Sequence, residues 1–216
     1  MKIVAVMPIK LNNERCPGKN LRILGDKELL KHELDNLYEV GLIDSIYVYC
    51  SDDTIVKHIP KNVKFLQRKK ELDSRDANFS QIFGSFSSEI DADIYVYAHA
   101  TAPFIKIDTM KECIAAVVSG KYDSAFCAEK IQTFLWKNNK PLNFDSTNIP
   151  RTQDLEPIYK ETSGIYVFKK EVFKLYHSRI GHNPYIKCLD AIEAIDIDTE
   201  EDFNFAEMII GNMKEA

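Results

Sequence analysis

No run in this chain reaches the roughly 20 consecutive apolar residues that a membrane-crossing helix needs. The apolar opening Ile3–Met7 stops at Pro8, too short for the apolar centre of a secretory signal, so no leader is expected. Cysteine is sparse and unpatterned. Cys16, Cys50, Cys113, Cys127 and Cys188 form an odd set with no CxxC spacing, which disfavours a disulfide framework and fits free, mostly buried thiols in a reducing cytoplasm. Neither GxxxxGK[ST] nor GxGxxG occurs, so the two common glycine-rich phosphate loops are absent. Excess positive charge is also missing. A net charge of −5 argues against broad nucleic-acid binding but leaves room for a small basic pocket. There is no internal repeat and no low-complexity tract.

What is present reads as an ordinary globular chain. With 216 residues, 45% apolar and 28% charged, it suits one large domain that buries its core without staples. Strand-like runs recur at Ile3–Met7, Ser45–Cys50, Val63–Leu66, Asp93–Ala98, Ser124–Ala128 and Ser163–Phe168. SIYVYC and DIYVYA are almost wholly apolar, so both of their faces should be buried. Helical spacing appears over Glu28–Val40, Asp76–Ile90, Asp108–Val118 and Thr199–Ile210, with Asp108 expected as an N-cap and Gly41 and Gly120 as stops. Alternating strands and helices predict an α/β fold with a mostly parallel sheet. Such sheets bind ligands beyond the carboxyl ends of their strands. That rule selects the loop after Met7, the segments after Cys50 and Ala98, and the acidic stretch at Asp196. The stretch 130–160, rich in Asn, Pro, Thr and Gln and holding the single tryptophan, reads as an excursion from the sheet and a dimerisation arm.

The loop after the first strand carries Lys10, Arg15 and Lys19, with Pro17-Gly18 before the last. Two readings stand: a solvated loop, or a cradle in which turn amides and flexible cations hold a polyphosphate.

The stretch MPIKLNNERCPGKNLRILGDKELLKH resembles the opening motif of the CMP-sugar-acid synthetases, a cytidylyltransferase family. Lys10 stands at the motif's first arginine, Arg15 and Lys19 at its later basic positions, and Asn20 at the asparagine of the neuraminate type. Further matches follow in the family's order. Gln67-Arg68 with Glu71-Leu72 is similar to R-P-x-x-L, and Ala77 lies where the family's backbone meets the base. His99-Ala100-Thr101-Ala102-Pro103 resembles Q-P-T-S-P. Pro150-Arg151-Thr152-Gln153 resembles P-R-Q, and Asp196-Ile197-Asp198-Thr199 matches D-I-D-T. The departures fall mainly on the acceptor side: His99 replaces glutamine, and Phe104-Ile105 stands where Leu-Arg is common. Lys10 keeps the charge of an arginine but loses its fork. The glycine-rich L-A-A-G-x-G-x-R opening of the sugar-phosphate nucleotidylyltransferases is absent.

The resemblance implies a single cytidylyltransferase domain over 1–216 with a three-layer, Rossmann-like nucleotide-diphospho-sugar transferase fold. It implies transfer from CTP to a 2-keto-3-deoxy sugar acid, such as an N-acylneuraminate, with Mg2+ as cofactor and a homodimer as the assembly. It further implies that Arg15, Lys19 and Asp198 act catalytically, and that Lys10, Arg15, Lys19, Asn20, Arg68 and Ala77 bind the nucleotide. His99, Arg151, Tyr159, Lys160 and Thr162 would meet the acceptor. Asp196 and Asp198 would hold the metal. If Ala194–Ile197 ends a strand, residues two apart share a face and both carboxylates meet one cation. A competing reading makes Asp198 the N-cap of the last helix. A nucleotide-binding module without catalysis, or transfer to another acceptor, are the alternative functions. Nucleic-acid and membrane partners are not expected.

Overall fold

A computed structural model describes residues 1–215. The chain lays down β1 (Ile3–Ile9), a short hairpin of β2 (Ile23–Leu24) and β3 (Lys27–Glu28), α1 (Leu29–Glu39), β4 (Ser45–Cys50) and β5 (Lys64–Gln67). It continues through α2 (Phe79–Glu89), β6 (Ile94–Ala98), α3 (Ile107–Val118) and β7 (Ser124–Ile131). A second short hairpin, β8 (Trp136–Lys137) and β9 (Lys140–Pro141), precedes β10 (Ile158–Lys169), α4 (Lys170–Tyr176), β11 (Pro184–Leu189) and α5 (Glu200–Glu215).

Seven strands form one sheet in the order β11-β7-β10-β6-β1-β4-β5. β10 runs antiparallel to both of its neighbours, and the other pairings are parallel. From β1 the chain moves outward to β4 and β5, then returns to place β6 on the other side of β1. The strand order therefore reverses at β1, and the crevice at its carboxyl end is where such sheets bind ligands. The basic loop leaves β1 there, and His99 leaves β6 beside it.

Period-two alternation sorts the side chains into two cores. Ala5, Met7, Val48, Val96 and Ile165 pack with Leu30, Leu34 and Leu37 of α1 and Met110, Cys113 and Ile114 of α3. Val4, Val6, Tyr49, Tyr95, Tyr97, Tyr166 and Phe168 face Phe83 and Phe86 of α2 and Val172 of α4. Three layers result. Each fully buried Phe or Leu contributes about 1.5–3 kcal/mol relative to exposure. α5 lies apart from these faces, packing Phe203 and Ala206 on Cys16, Leu24 and Ile197. Gly164 permits a close approach of β10, because a Cβ there would lie 2.7 Å from Ile105 Cδ1.

Several predicted boundaries shift for local reasons. α2 starts after Asn78, whose side chain forms a capping box with Gln81, rather than at Asp76. Asp108 is not an N-cap: α3 begins at Ile107 and Asp108 sits in its first turn, where its charge suits the helix dipole. β11 and α4 carry no clear sequence signal. The first is a half-exposed edge strand, and the second has only seven residues, too few to display a period. The excursion after β7 holds the β8–β9 hairpin, whose Trp136 and Phe134 both pack on Phe144.

Candidate functional site

The basic loop is shaped at Gly18, which takes a left-handed φ of 65°. With no atom near a prospective Cβ, conformation and not space demands glycine here. The turn it makes delivers Lys19 inward. The Lys19 side chain is only 8% exposed, and its Nζ donates to Ile197 O at 2.5 Å and to Asp198 Oδ1 at 3.1 Å. Asn20 is buried, and its Nδ2 donates to the Lys10 carbonyl at 3.1 Å, fastening the two ends of the loop. Arg15, 69% exposed, reaches Asp198 Oδ2 at 3.0 Å. Asp198 therefore sits between two cations that belong to the loop after β1.

The same point gathers a third segment. The Ile197 amide donates to Thr101 O at 2.8 Å, so the loop after β6, the D-I-D-T stretch and the basic loop are bonded together. Lys10, Arg15, Lys19 and Asp198 line one cavity of about 360 Å3. Arg75 joins them there, ion-paired with Glu14. Sequence reasoning missed this cation because it lies in a polar run that reads as solvated.

Two expectations about D-I-D-T need correction. Residues 194–197 are not the end of a strand; the last strand closes at Leu189. Asp198 does not cap α5 either. Thr199 does, its Oγ1 accepting from the Asp202 amide at 3.2 Å while Asp202 Oδ2 accepts from the Thr199 amide at 2.8 Å, a reciprocal capping pattern. Asp198 is thereby free for other work. The two aspartates border different cavities, Asp198 the basic one and Asp196 one with Lys160 and Thr162.

At the carboxyl end of β5, Arg68 is 3% exposed. Its Nη2 donates to Ile9 O at 2.8 Å and to Asp73 Oδ1 at 2.6 Å, while its Nε is buried without a partner. Ala77 is half-buried just ahead of the α2 N-cap.

On the other side of β1, His99 is half-buried, and its Nδ1 meets the Ser163 carbonyl. A carbonyl only accepts, so Nδ1 carries the proton and Nε2 keeps its lone pair. Burial pushes the imidazole pKa below its usual 6.5, against an opposing pull from the Ser163 bond and from Asp196 and Asp198. Thr162 is buried, donating to Cys127 O at 3.0 Å. Lys160 pairs with Glu129 at 3.1 Å and Tyr159 is exposed. Lys160, Thr162 and Asp196 line a cavity of about 360 Å3, which Tyr159 does not border. Arg151 is not brought to the cluster. It is exposed on the excursion and pairs with Asp154 three residues on. Arg179, unflagged by sequence, stacks 3.6 Å over Tyr166 and bonds Glu161 at 3.2 Å.

Among the described residues no group of three or more His, Cys, Asp or Glu side chains forms a metal cage. A hard cation that keeps its waters and takes phosphate oxygens needs only one or two carboxylates. Asp196 Oδ1 is buried without any partner, an acceptor left open, and Asp198 follows two residues later. By donor type both carboxylates suit a hard cation, although they border different cavities and the structure does not bring them to one point.

A family model described as cytidylyltransferase matches residues 4–215. The chain is 23% identical to an N-acylneuraminate cytidylyltransferase of Streptococcus agalactiae over 94% of its own length, and spans 52% of that relative. It is 22% identical to a pseudaminic acid cytidylyltransferase of Campylobacter jejuni, covering 97% of this chain and 96% of that one. In fold it is similar to a CMP:2-keto-3-deoxy-manno-octonic acid synthetase complexed with CTP (TM-score 0.76, 14% identity, 99% and 100% of the two chains). A 4-diphosphocytidyl-2C-methyl-D-erythritol synthase of Anaerococcus prevotii gives a TM-score of 0.70 at 14% identity, over 97% and 96%. The Rossmann-like α/β fold expected from sequence is thus the one observed.

Proposed function

Since this chain belongs to the cytidylyltransferase family, we propose that it transfers a cytidylyl group from CTP to a 2-keto-3-deoxy sugar acid, a nonulosonic acid such as an N-acylneuraminate. The observation that carries this reading is the junction at Lys19, where the basic loop meets Ile197 and Asp198. The sugar's anomeric hydroxyl attacks the α-phosphorus, an oxygen–phosphorus bond forms, and the bond to the β-phosphate breaks to release diphosphate. Both reactants are anionic, so the barrier is chiefly electrostatic, and placement and charge neutralisation are what the protein supplies.

Lys19 and Arg15 hold the β- and γ-phosphates and the departing diphosphate. An incoming triphosphate exchanges with Asp198 for these cations and frees its carboxylate. Lys10 lies nearer the α-phosphate. Arg68 donates to acceptors on the base, with Asn20 and the backbone at Ala77 completing the nucleoside site. His99 takes the hydroxyl proton on its unprotonated Nε2, and Lys160 and Thr162 face the acid, with Tyr159 beside them. Asp196 and Asp198 would hold Mg2+, which when bound neutralises phosphate charge and lowers the pKa of a nearby hydroxyl. The assembly is a homodimer joined through the 130–160 excursion, with Arg151 acting across that interface, and the enzyme works in the cytoplasm.

The test measures diphosphate release with each NTP against a panel of nonulosonic and octulosonic acids. Release that requires CTP and a keto sugar acid is the expected result. CTP binding with no release for any acceptor would replace this reading with a binding module.

A further inference from the structure

The cavity between the basic loop and Asp198 opens into two others. All three share Asn12, and Asp73 borders the second and third. Together they make one continuous cleft with a charge gradient. Lys10, Arg15, Lys19 and Arg75 line one end. The far end, about 440 Å3, is bordered by Ser51, Asp52, Asp53, Gln67 and Asp73, with Lys70 as its one lining cation.

Asp73 is held through both of its carboxylate oxygens. Its Oδ1 accepts from Arg68 Nη2 at 2.6 Å and its Oδ2 from Ser51 Oγ. Arg68 in turn donates to Ile9 O. One hydrogen-bonded chain therefore links the carboxyl ends of β1, β4 and β5. The Asp73 side chain is 22% exposed, so its oxygens remain reachable, and each carboxylate oxygen has room for a further donor. The buried, unpartnered Nε of Arg68 is a donor that lacks an acceptor, the kind of group a ligand completes.

We propose that Asp73 sets the nucleobase preference of this cleft: it fixes the Arg68 guanidinium for a base carbonyl and offers its own carboxylate to an exocyclic amine. This rests on the reading of the cleft as a nucleoside triphosphate site. The basic end takes the phosphates, and the base falls at the acidic end. Cytosine presents an amine donor where uracil presents a carbonyl acceptor. A carboxylate only accepts, so it binds the first and repels the second.

The test is calorimetric binding of CTP and UTP to the full chain, with kcat and KM for each, in wild type, Asp73→Asn and Ser51→Ala. Wild type is expected to favour CTP. Asp73→Asn should weaken CTP about 10- to 100-fold, the scale of one charge-assisted hydrogen bond, mostly in KM. UTP should change little, so the preference collapses. Ser51→Ala keeps the charges and should keep the preference. If Asp73→Asn does not fold, Asp73→Glu serves: the retained charge should preserve the order of CTP over UTP while weakening both. A preference unchanged in Asp73→Asn, an equal loss for both nucleotides, or a reversed order in Asp73→Glu overturns the role of Asp73 and leaves the cytidylyltransferase reading standing. A wild type that binds neither nucleotide removes both.

Discussion

Lys19 and Asp198 stand 179 residues apart in the chain, and the Lys19 ammonium donates to Asp198 Oδ1 at 3.1 Å. Arg15 approaches the other oxygen of the same carboxylate at 3.0 Å. Asp198→Asn keeps the shape and removes the charge that answers both cations. Turnover should fall by about 10²- to 10³-fold, the scale of losing one preorganised electrostatic group. The fold should persist, since Thr199 and not Asp198 caps α5. Steady-state diphosphate release beside a thermal melt checks this, and a near-normal rate would remove Asp198 from the mechanism.

His99 gives a pH prediction. Its pKa lies below 6.5 because burial penalises the charged ring, so the imidazole is neutral at pH 7 and above. kcat should be flat there and drop as pH falls through the lowered pKa. His99→Ala should lose about 10²- to 10⁴-fold in rate and lose that acid limb as well. The stability sign agrees: between the folded and unfolded pKa values the unfolded chain binds more protons, so this group's contribution is present above 6.5 and wanes below it. A mutant that retains the acid limb would assign it to another group.

Glu33 is fully buried in α1, and neither carboxyl oxygen has a partner. Burial, with a smaller push from Cys127, holds its pKa well above 4.5. The folded state keeps a proton that the unfolded chain releases, so stability is lost as pH rises above the unfolded value. Glu33→Met removes the unpaired group at similar size. It should stabilise by about 1–3 kcal/mol, or roughly 2–10 °C in Tm for a chain of this size. The gain should be larger at pH 8 than at pH 5. A melt that is lower at both pH values would sink this account.

The excursion after β7 leaves Trp136 60% and Ile149 64% exposed. A two-stranded hairpin is marginal by itself in water, and exposed apolar side chains on it call for a cover. Sedimentation at micromolar concentration should report a dimer. The double substitution Trp136→Glu with Ile149→Glu should yield a monomer that still melts cooperatively. A wild-type monomer would contradict the interface.

Much of this was written in local pattern. The apolar runs at Ser45–Cys50 and Ile94–Ala98 declared strands buried on both faces, as the second is throughout and the first is except at the half-buried Ser45 and Tyr47, because no polar face can be spared inside a layered sheet. The basic residues after β1 and the D-I-D-T stretch stood out in the sequence as charged segments, but the basic loop alone read equally as a solvated loop, and only their meeting in space joins them. Short elements such as β11 and α4 stayed hidden, since half-exposed edges and single turns carry little periodicity.

Tertiary structure decided what those local patterns meet. Only the reversal of strand order at β1 sets the loop after β6 against the loop after β1, and the Ile197 bonds to Thr101 and Lys19 help bring the distant Asp198 to Lys19. The separation of Asp196 from Asp198 into different cavities, the Arg68–Asp73–Ser51 chain and the Arg179 stack on Tyr166 all depend on contacts between segments remote in sequence. Composition and period encode a residue's own preference for burial or solvent. They do not encode its partner, because partnership arises from the path of the whole backbone.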